Sequence, residues 1–344
     1  VEKNPRNQDW ALVGTSTQYD TVQDHAKAKL SWDVTPALRA AYVLGLWQNA
    51  SDGHAQTWLR NGAGQPVDSG AVAIAGKRFT LSGSDFPNTR EDLFHTLQAL
   101  SLKTRHQGAW DAELSASTYR YDRDEARASA TGRLTDMGGT GWRTLRGKLT
   151  WRPQGVDGAH IVDAGIGIDT WQLRTRVLAI SGDWRSGMPG ALASRFDGNT
   201  GTHSLWAQDA WRLAPGWTSV LGLRAEQWRA WGGLTQAAAN QIAHPERSAT
   251  HLSPKAALSH EMGALAGGEW VLKASTGRAV RNPTVSELYQ GGFNTLGQAI
   301  NTNPDLRPET GWTQEFSAEW STPATSLRAG LAATLESIRT RLPH

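Results

Sequence analysis

The sequence predicts an all-β fold, an antiparallel transmembrane β-barrel of which about twelve strands of roughly ten residues are visible. Three observations support this prediction. Apolar and polar side chains alternate with period 2, short turns alternate with long links, and tryptophans cluster near the short turns. No apolar run approaches the roughly 18 residues of a membrane helix, so a closed sheet is the structure that would cross a bilayer.

The segment 312–321 shows the alternation clearly. Its larger side chains fall on one side of an extended chain, and its small or charged ones fall on the other. The first set is Trp312, Gln314, Phe316, Ala318 and Trp320; the second is Thr313, Glu315, Ser317, Glu319 and Ser321. The same period predicts strands at 25–33, 38–48, 93–105, 110–122, 141–152, 160–173, 202–213, 217–230, 250–262, 268–280, 312–321 and 326–338.

The connections between these strands are of two kinds. Those near residues 35–37, 106–109, 153–159, 214–216, 263–268 and 322–325 are short, and most carry Gly or Pro, as tight hairpins do. Long links lie between them at 49–92, 123–140, 174–201, 231–249 and 281–311, and the first has room for an extra hairpin near 78–86. Short turns at one end and long loops at the other predict periplasmic turns and extracellular loops.

Tryptophan placement gives an independent indication of a membrane interface. The chain has 17 Trp among 344 residues, and an indole suits a boundary that is dry on one side and wet on the other. Seven lie near predicted short turns on the predicted lipid face: Trp32, Trp110, Trp151, Trp211, Trp217, Trp270 and Trp320. We expect them to form an aromatic girdle. The alternative, a Trp-filled core of a β-sandwich or propeller, does not explain their clustering at the short-turn end.

The opposite face of the predicted strands is polar and would line the lumen. It carries Lys27, Lys29, Ser31, Arg146, Lys148, Arg152, Lys255, Glu261, Glu315 and Glu319. Charges there stay wet or paired, whereas a charge facing lipid near the midplane costs about 2–4 kcal/mol. Asp209 falls on the predicted lipid face, which suggests a bulge at this position or an error in the assigned register.

Composition excludes several other classes of protein. Cysteine is absent, which removes disulfides and thiol chemistry. The formal charge of +3 comes without a basic run, so nucleic acid is not a predicted partner. Basic loops would instead suit the phosphates of outer-membrane lipid and lipopolysaccharide.

No catalytic constellation, cofactor motif or metal-ligand spacing is present. His260 and Glu261 lack the second His of a zinc helix motif, and Gly165 and Gly167 are not followed by a helix. The run 121–125 has an acidic composition but lacks the Gly of a calcium loop. The sequence therefore predicts neither an enzyme nor a resident cofactor or metal.

Two motifs in order carry a family resemblance. Residues 278–289 read RAVRNPTVSELY, and residues 303–309 read NPDLRPE and run into GWTQEF. Together they resemble the late barrel segment of TonB-dependent outer-membrane receptors, with supporting matches at 29–39 and 206–218. The motif positions are Arg278, Arg281, Pro283, Glu287, Leu288, Tyr289, Asn303, Pro304, Asp305, Leu306, Arg307, Pro308 and Glu309. We expect an architectural role for them, because proline stops strand pairing at the rim.

The resemblance implies a siderophore-receptor-like protein of the bacterial outer membrane. Such a receptor imports a scarce, bulky nutrient, most often a ferric siderophore, with energy delivered through the TonB complex to a plug domain. Residues 1–344 match the barrel, and no energy-coupling box, plug, signal peptide or closing aromatic strand is recognised in them. We therefore expect an internal part of a larger barrel, whose sheet has unpaired edges at its first and last strands.

Ligand binding is expected in the long loops, because function concentrates in loops on a rigid scaffold. Aromatic and cationic side chains there suit an anionic, ring-bearing ferric chelate. The candidate residues are His54, Trp58, Arg60, Arg195, Phe196, Trp231, His244, Arg247, Tyr289 and Phe293. Two alternatives stay open: a passive porin or surface-binding barrel without TonB coupling, and a soluble Trp-rich β-domain that binds carbohydrate.

Overall fold

In this computed structural model the chain forms almost entirely antiparallel strands. It describes residues 2–6, 9–82, 84–105, 108–237, 240–265, 267–294, 298–300, 302–322 and 327–339. The elements in chain order are β1 (Glu2–Arg6), β2 (Asp9–Leu12), β3 (Gly14–Thr35), β4 (Leu38–Thr57), β5 (Gly70–Ile74), β6 (Lys77–Leu81), β7 (Thr89–Thr104), β8 (Trp110–Ala128), β9 (Arg133–Asp136), β10 (Gly141–Trp151), β11 (His160–Ser181), β12 (Met188–Ala214), β13 (Trp217–Ala237), β14 (Asn240–His244), β15 (Arg247–Leu265), β16 (Gly268–Arg281), α1 (Val285–Tyr289), β17 (Gly292–Phe293), β18 (Ala299–Ile300), β19 (Glu309–Thr322) and β20 (Leu327–Arg339).

Twelve strands form one continuous meander in chain order. Its order is β3, β4, β7, β8, β10, β11, β12, β13, β15, β16, β19 and β20, with β9 and β14 added at its rim. Within the described residues β3 and β20 are the two edges of this sheet. No helix among the same residues is long and apolar enough to cross a membrane. Each of the twelve predicted strands has a counterpart in the meander, which confirms the predicted barrel wall.

The main difference from the prediction is that the strands run further than expected at the long-loop end. Residues 174–201 were expected to form a loop, but most of them extend β11 and β12 as a paired ribbon, and only 182–187 lie between the two strands. The alternation of polarity fades there because a ribbon beyond the bilayer has water on both faces and needs no apolar side. Polarity alternation therefore marks the membrane-crossing part of a strand and misses its extension.

The remaining long links also contain ordered structure. The extra hairpin in 49–92 is formed by β5 and β6, so the range 78–86 overlaps only its second strand. Its turn residues Ala75 and Gly76 both have positive φ, as in a type I′ hairpin. In the same way β9 lies in 123–140, β14 in 231–249, and α1, β17 and β18 in 281–311.

The two faces of the meander differ in polarity, as expected for a barrel wall. Large apolar side chains stand exposed on one face, among them Leu205, Leu221, Leu223, Phe316 and Leu335. Strand register places the seven predicted girdle tryptophans on this outer face near the short turns. Trp110 stacks on Trp151, with ring centroids 5.6 Å apart. A membrane-interface role for this ring stays a prediction.

The inner face carries ion pairs between neighbouring strands. Arg152 meets Asp111 at 2.8 Å, Lys273 meets Glu319 at 3.0 Å and Lys148 meets Asp163 at 3.5 Å. These ion pairs connect neighbouring strands of the wall. Charged side chains on such a face cost little as long as they are hydrated or paired.

The bulge predicted at Asp209 is absent. Residue 209 keeps regular register with Val162 on one side and Leu221 on the other. Asp209 does lie on the outer face, and His160 compensates, since its Nδ1 lies 2.7 Å from Asp209 Oδ2. A neighbouring side chain, not a change in register, accommodates the carboxylate.

Candidate ligand site

The short helix α1 begins at a capping box formed by Thr284 and Glu287. Thr284 Oγ1 accepts from the Glu287 backbone N–H at 3.2 Å, and the Thr284 backbone N–H donates to Glu287 Oε2 at 2.9 Å. This reciprocal pair satisfies two amide groups that a helix start otherwise leaves unpaired. Arg281 forms an ion pair with Glu287 from the end of β16. The box therefore fixes where the chain leaves the wall and turns inward.

The apolar residues of α1 pack against the inner face of the wall. Val285, Leu288 and Tyr289 form a buried cluster with Leu173, Trp228 and Ala230 of β11 and β13. A five-residue helix is too short to be stable alone, so tertiary packing must hold it. The loop between β16 and β19 is thus held against the inner face of the wall by this cluster, which we call the anchor.

Tyr289 is the central side chain of this anchor. Its exposed fraction is 1%, and its ring lies against Gly198 and Gly233. A Cβ at these positions would come within 2.1 and 2.4 Å of the ring, so only glycine leaves room for it. Burial raises the pKa of the Tyr289 phenol, and the hydroxyl has no hydrogen-bond partner among the described residues.

The second motif is tied to the same anchor. Arg247 donates to the carbonyl of Pro304, and to that of Leu306 at 3.0 Å. The Asn303 backbone N–H donates to the Glu287 carbonyl at 3.3 Å. These backbone contacts hold the second motif against the first, and an architectural role for both motifs stays a prediction.

His244 closes the anchor on its far side. Its ring stacks on Tyr289 with centroids 5.5 Å apart, and its Nε2 lies 2.9 Å from Thr235 Oγ1. Burial lowers the pKa of His244, while the Asp305 carboxylate acts in the opposite direction. The packed state of the anchor therefore favours the neutral imidazole.

A cavity of about 500 Å³ lies between α1 and the inner face of the wall. Among the described residues no charged side chain lines it, whereas five aromatic residues do: Tyr119, Tyr121, Trp142, Trp171 and Trp228. From the loop side it is lined by Asn282, Thr284 and Gln290, and Asn282 Oδ1 is buried without a hydrogen-bond partner in the described chain. Aromatic walls with a few polar groups suit a planar organic ring.

The aromatic wall of the cavity is held in place by a buried polar network. Tyr119 stacks on Trp142 at 6.0 Å, and its hydroxyl lies 3.0 Å from His95 Nδ1. His95 Nε2 in turn lies 3.0 Å from Asp124 Oδ2, and its ring stacks on Tyr121 at 3.9 Å. Burial raises the pKa of the Asp124 carboxyl despite the opposing contribution of His95. The network holds the Tyr119 hydroxyl on the side away from the cavity, so that the ring faces the cavity.

The ten predicted ligand residues fall into two separate groups. Seven lie around the anchor or beside it on the wall: Arg195, Phe196, Trp231, His244, Arg247, Tyr289 and Phe293. Phe196 is buried and stacks on Phe293 at 5.7 Å, while Arg195 Nε donates to Asp197 at 2.6 Å. In this conformation Phe196 and Tyr289 are inaccessible to a ligand. Contact of the seven with a ligand stays a prediction.

The other three predicted residues lie at the end of β4 and just beyond it. His54 faces Asp20 at 3.5 Å, and Arg60 donates to the Thr57 carbonyl at 3.2 Å. Trp58 is half exposed, with an exposed fraction of 52%. This group is separate from the cavity, and its ligand role likewise stays a prediction.

Sequence reasoning missed the cavity residues themselves. Trp142 and Trp171 lie on the inward, polar side of their strands, whereas the girdle tryptophans lie on the outward side. Their positions in the alternating pattern could have identified them, because a tryptophan on the inward side of a strand has no lipid to face. A large aromatic side chain there needs another partner.

These features define a class of protein: a β-barrel wall with an apolar exterior, a polar interior and an inward-folded loop that encloses an aromatic cavity. This is the architecture of an outer-membrane receptor. The chain belongs to the TonB-dependent receptor-like β-barrel family, whose model matches residues 31–334. That family resides in the outer membrane and consists of transport receptors. A search of curated proteins found no match.

Solved structures share the fold at low sequence identity. The ferripyoverdine receptor of Pseudomonas aeruginosa, solved with ferripyoverdine bound, is 12% identical with a TM-score of 0.61, covering 93% of this chain and 42% of the receptor. The copper transporter OprC is 14% identical (TM-score 0.53; 95% and 55% covered). The alcaligin receptor of Bordetella pertussis is 12% identical (TM-score 0.51; 95% and 50% covered). The chain thus spans about half the length of these proteins.

Proposed function

We propose that this chain forms the ligand-capturing wall of an active-transport receptor that imports a ferric siderophore across the outer membrane. The observation that carries the proposal is the aromatic cavity between α1 and the inner wall. Family membership supports transport, and the bound ferripyoverdine in a structural relative is an example of such a cargo in this fold. Energy would come from the TonB complex through a plug domain.

The composition of the cavity indicates which part of a chelate it would take. The described residues of its lining include no charged group, so an anionic metal centre would gain little binding free energy there. A planar aromatic group would stack on Trp142 and Trp171, and each such stacking contact is worth about 0.5–1.5 kcal/mol beyond burial. The uncharged polar residues Asn282, Thr284 and Gln290 on the loop side would form hydrogen bonds with a ring hydroxyl or amide. The charged remainder of the chelate would face the cationic loops.

Binding is tested by titrating the receptor with a ferric siderophore that carries an aromatic chromophore and following the quenching of tryptophan fluorescence. We expect Trp142→Ala to weaken binding about tenfold, because it removes one face of the cavity. Trp151→Ala is the matched control, since Trp151 lies on the same strand but on the outer face. Equal affinities for the two variants would contradict the assignment of the cavity.

Energy coupling needs a separate measurement. Uptake of the ⁵⁵Fe-labelled chelate by cells that carry the full receptor should stop when the proton gradient is dissipated, while binding to the surface should persist. Uptake that continues without the gradient would show a passive barrel instead.

A further inference from the structure

A second concave feature lies on the outer face, away from the cavity. It is an apolar groove of about 650 Å³ that crosses β11, β12, β13, β15, β16 and β19. Leu221, Leu223, Pro254, Ala256 and Trp312 give it apolar sides. Two register rows run through it: Val162, Asp209, Leu221 and Ala256 in one, and Ala207, Leu223 and Pro254 in the other. The small side chains Ala207 and Ala256 keep it open between larger neighbours.

The groove rises along the membrane normal. At one end, Val162 and Asp209 lie two and five residues from the short-turn ends of β11 and β12; at the other, Trp312 lies ten residues from the end of β19. A strand tilted by about 45° rises about 2.3 Å per residue along the normal. The groove therefore runs from roughly 5–12 Å to about 23 Å above the short turns, a span close to one leaflet.

A carboxylate sits at the lower end of this groove. Asp209 lines it, and the Asp209 side chain is one-third exposed. Oδ1 is buried without a hydrogen-bond partner within the described residues. Oδ2 faces His160 Nδ1 and, with two lone pairs, can accept a second hydrogen bond. The stacked pairs Trp211–His160 and Trp217–His260 lie at the same end. A carboxylate at a lipid boundary is costly unless a donor meets it.

We propose that this groove binds a diacyl phospholipid with a primary ammonium headgroup from the leaflet on the short-turn side. One acyl tail lies along the groove between Leu221 and Trp312, and the ammonium group donates to Asp209. Charge complementarity selects this headgroup: an anionic headgroup is repelled by the carboxylate, and a trimethylammonium group has no N–H to donate.

A neighbouring groove on the same face serves as an internal control. It has a volume of about 460 Å³ and is lined by Trp217, Leu258, Leu272, Phe316 and Leu331 among others, with no carboxylate in its lining. We expect this second groove to accept acyl tails without a preference for any headgroup.

The test uses the full receptor chain in phosphatidylcholine vesicles that contain brominated phosphatidylethanolamine, phosphatidylcholine or phosphatidylglycerol. Bromine quenches indole fluorescence on contact, and the contribution of Trp312 is read as the difference between wild type and Trp312→Phe. We expect about fivefold tighter binding of the ethanolamine lipid than of the choline lipid, since a charged contact at a wet boundary is worth up to about 1 kcal/mol. Equal quenching by the two lipids in the wild-type protein would overturn the proposal.

Two variants separate the headgroup contact from the groove. Asp209→Asn should bring the preference down to about one while the tail still quenches Trp312. Ala256→Phe should fill the groove and abolish the Trp312 contribution for every lipid, without adding an indole or altering the carboxylate. A Phe316→Trp reporter in the Trp312→Phe background should show no headgroup preference. Retention of the preference in Asp209→Asn, or its appearance at residue 316, contradicts the assignment.

Discussion

Trp151 and Trp142 lie nine residues apart on one strand and have opposite surroundings. Trp151 stands on the outer face, 40% exposed, and stacks on Trp110. Trp142 points inward, stacks on Tyr119 and lines the cavity. Their difference in parity places one indole on the outside and the other inside. The comparison teaches that, in this fold, the side of the strand decides what a given residue type does. The first prediction below compares the two sides directly, and the next two concern the anchor on the inner side.

The largest expected effect comes from placing a charge on the outer face. Leu223→Arg lies six residues above the start of β13, near the middle of the predicted membrane span, and should lower the free energy of unfolding by about 2–4 kcal/mol. The matched control is Val220→Arg on the inner face of the same strand, which should cost less than about 1 kcal/mol. Equilibrium unfolding in lipid vesicles measures both. Equal losses would contradict the assignment of faces.

A smaller effect is expected on the inner face, at the anchor. Gly198→Ala places a Cβ against the Tyr289 ring and should destabilise the docked loop by about 1–3 kcal/mol, as overpacking does. Gly62→Ala is the control, because that position has open space around it. Limited proteolysis within 282–308 reports the loop directly. If the loop in Gly198→Ala resists cleavage as well as it does in the control, Tyr289 is not the side chain that holds it.

The smallest expected effect is a response of the anchor to pH. Because burial lowers the pKa of His244 below its ordinary value, folding favours the neutral ring. This contribution to stability is fully present above the unfolded pKa of about 6.5 and is lost as the pH falls through the folded pKa. The protection factors of the α1 amides, which correct for the slower intrinsic hydrogen exchange at low pH, should therefore fall below pH 6.5. His244→Gln should remove this step, and an unchanged pH profile in that variant would exclude His244 as its source.

The wall could be predicted from the sequence because lipid on one side enforces the alternation. In segment 217–230, which lies within β13, Leu221 and Leu223 alternate with Gly222 and Arg224. Beyond the bilayer that constraint ends, which is why 174–201 gave no strand signal although β11 and β12 pair there. The helix α1 was not predicted, although Thr284 and Glu287 have the spacing of a capping box. Five residues, however, are too few to show helical periodicity.

The cavity could not be predicted from the sequence, because its residues come from elements far apart in the chain. Tyr119, Trp171 and Asn282 meet only once the strands are in register and the loop has folded inward. The loop candidates were chosen by residue type, and type does not distinguish a packing role from a binding one. Tyr289 is an example: an aromatic loop residue that the structure shows packed against Gly198 and Gly233.

If the chain acts in the proposed receptor, the ribbon formed by β11 and β12 would affect how the receptor first meets its cargo. β12 contains 27 residues, and at about 3.3 Å per residue with a 45° tilt it extends roughly 60 Å along the normal, twice the thickness of the hydrocarbon core. In that case a particle arriving from outside would first touch the paired strands β11 and β12, whose backbone is already ordered. Little configurational freedom then remains to be lost on first contact, so a large, rigid particle can be held with few contacts.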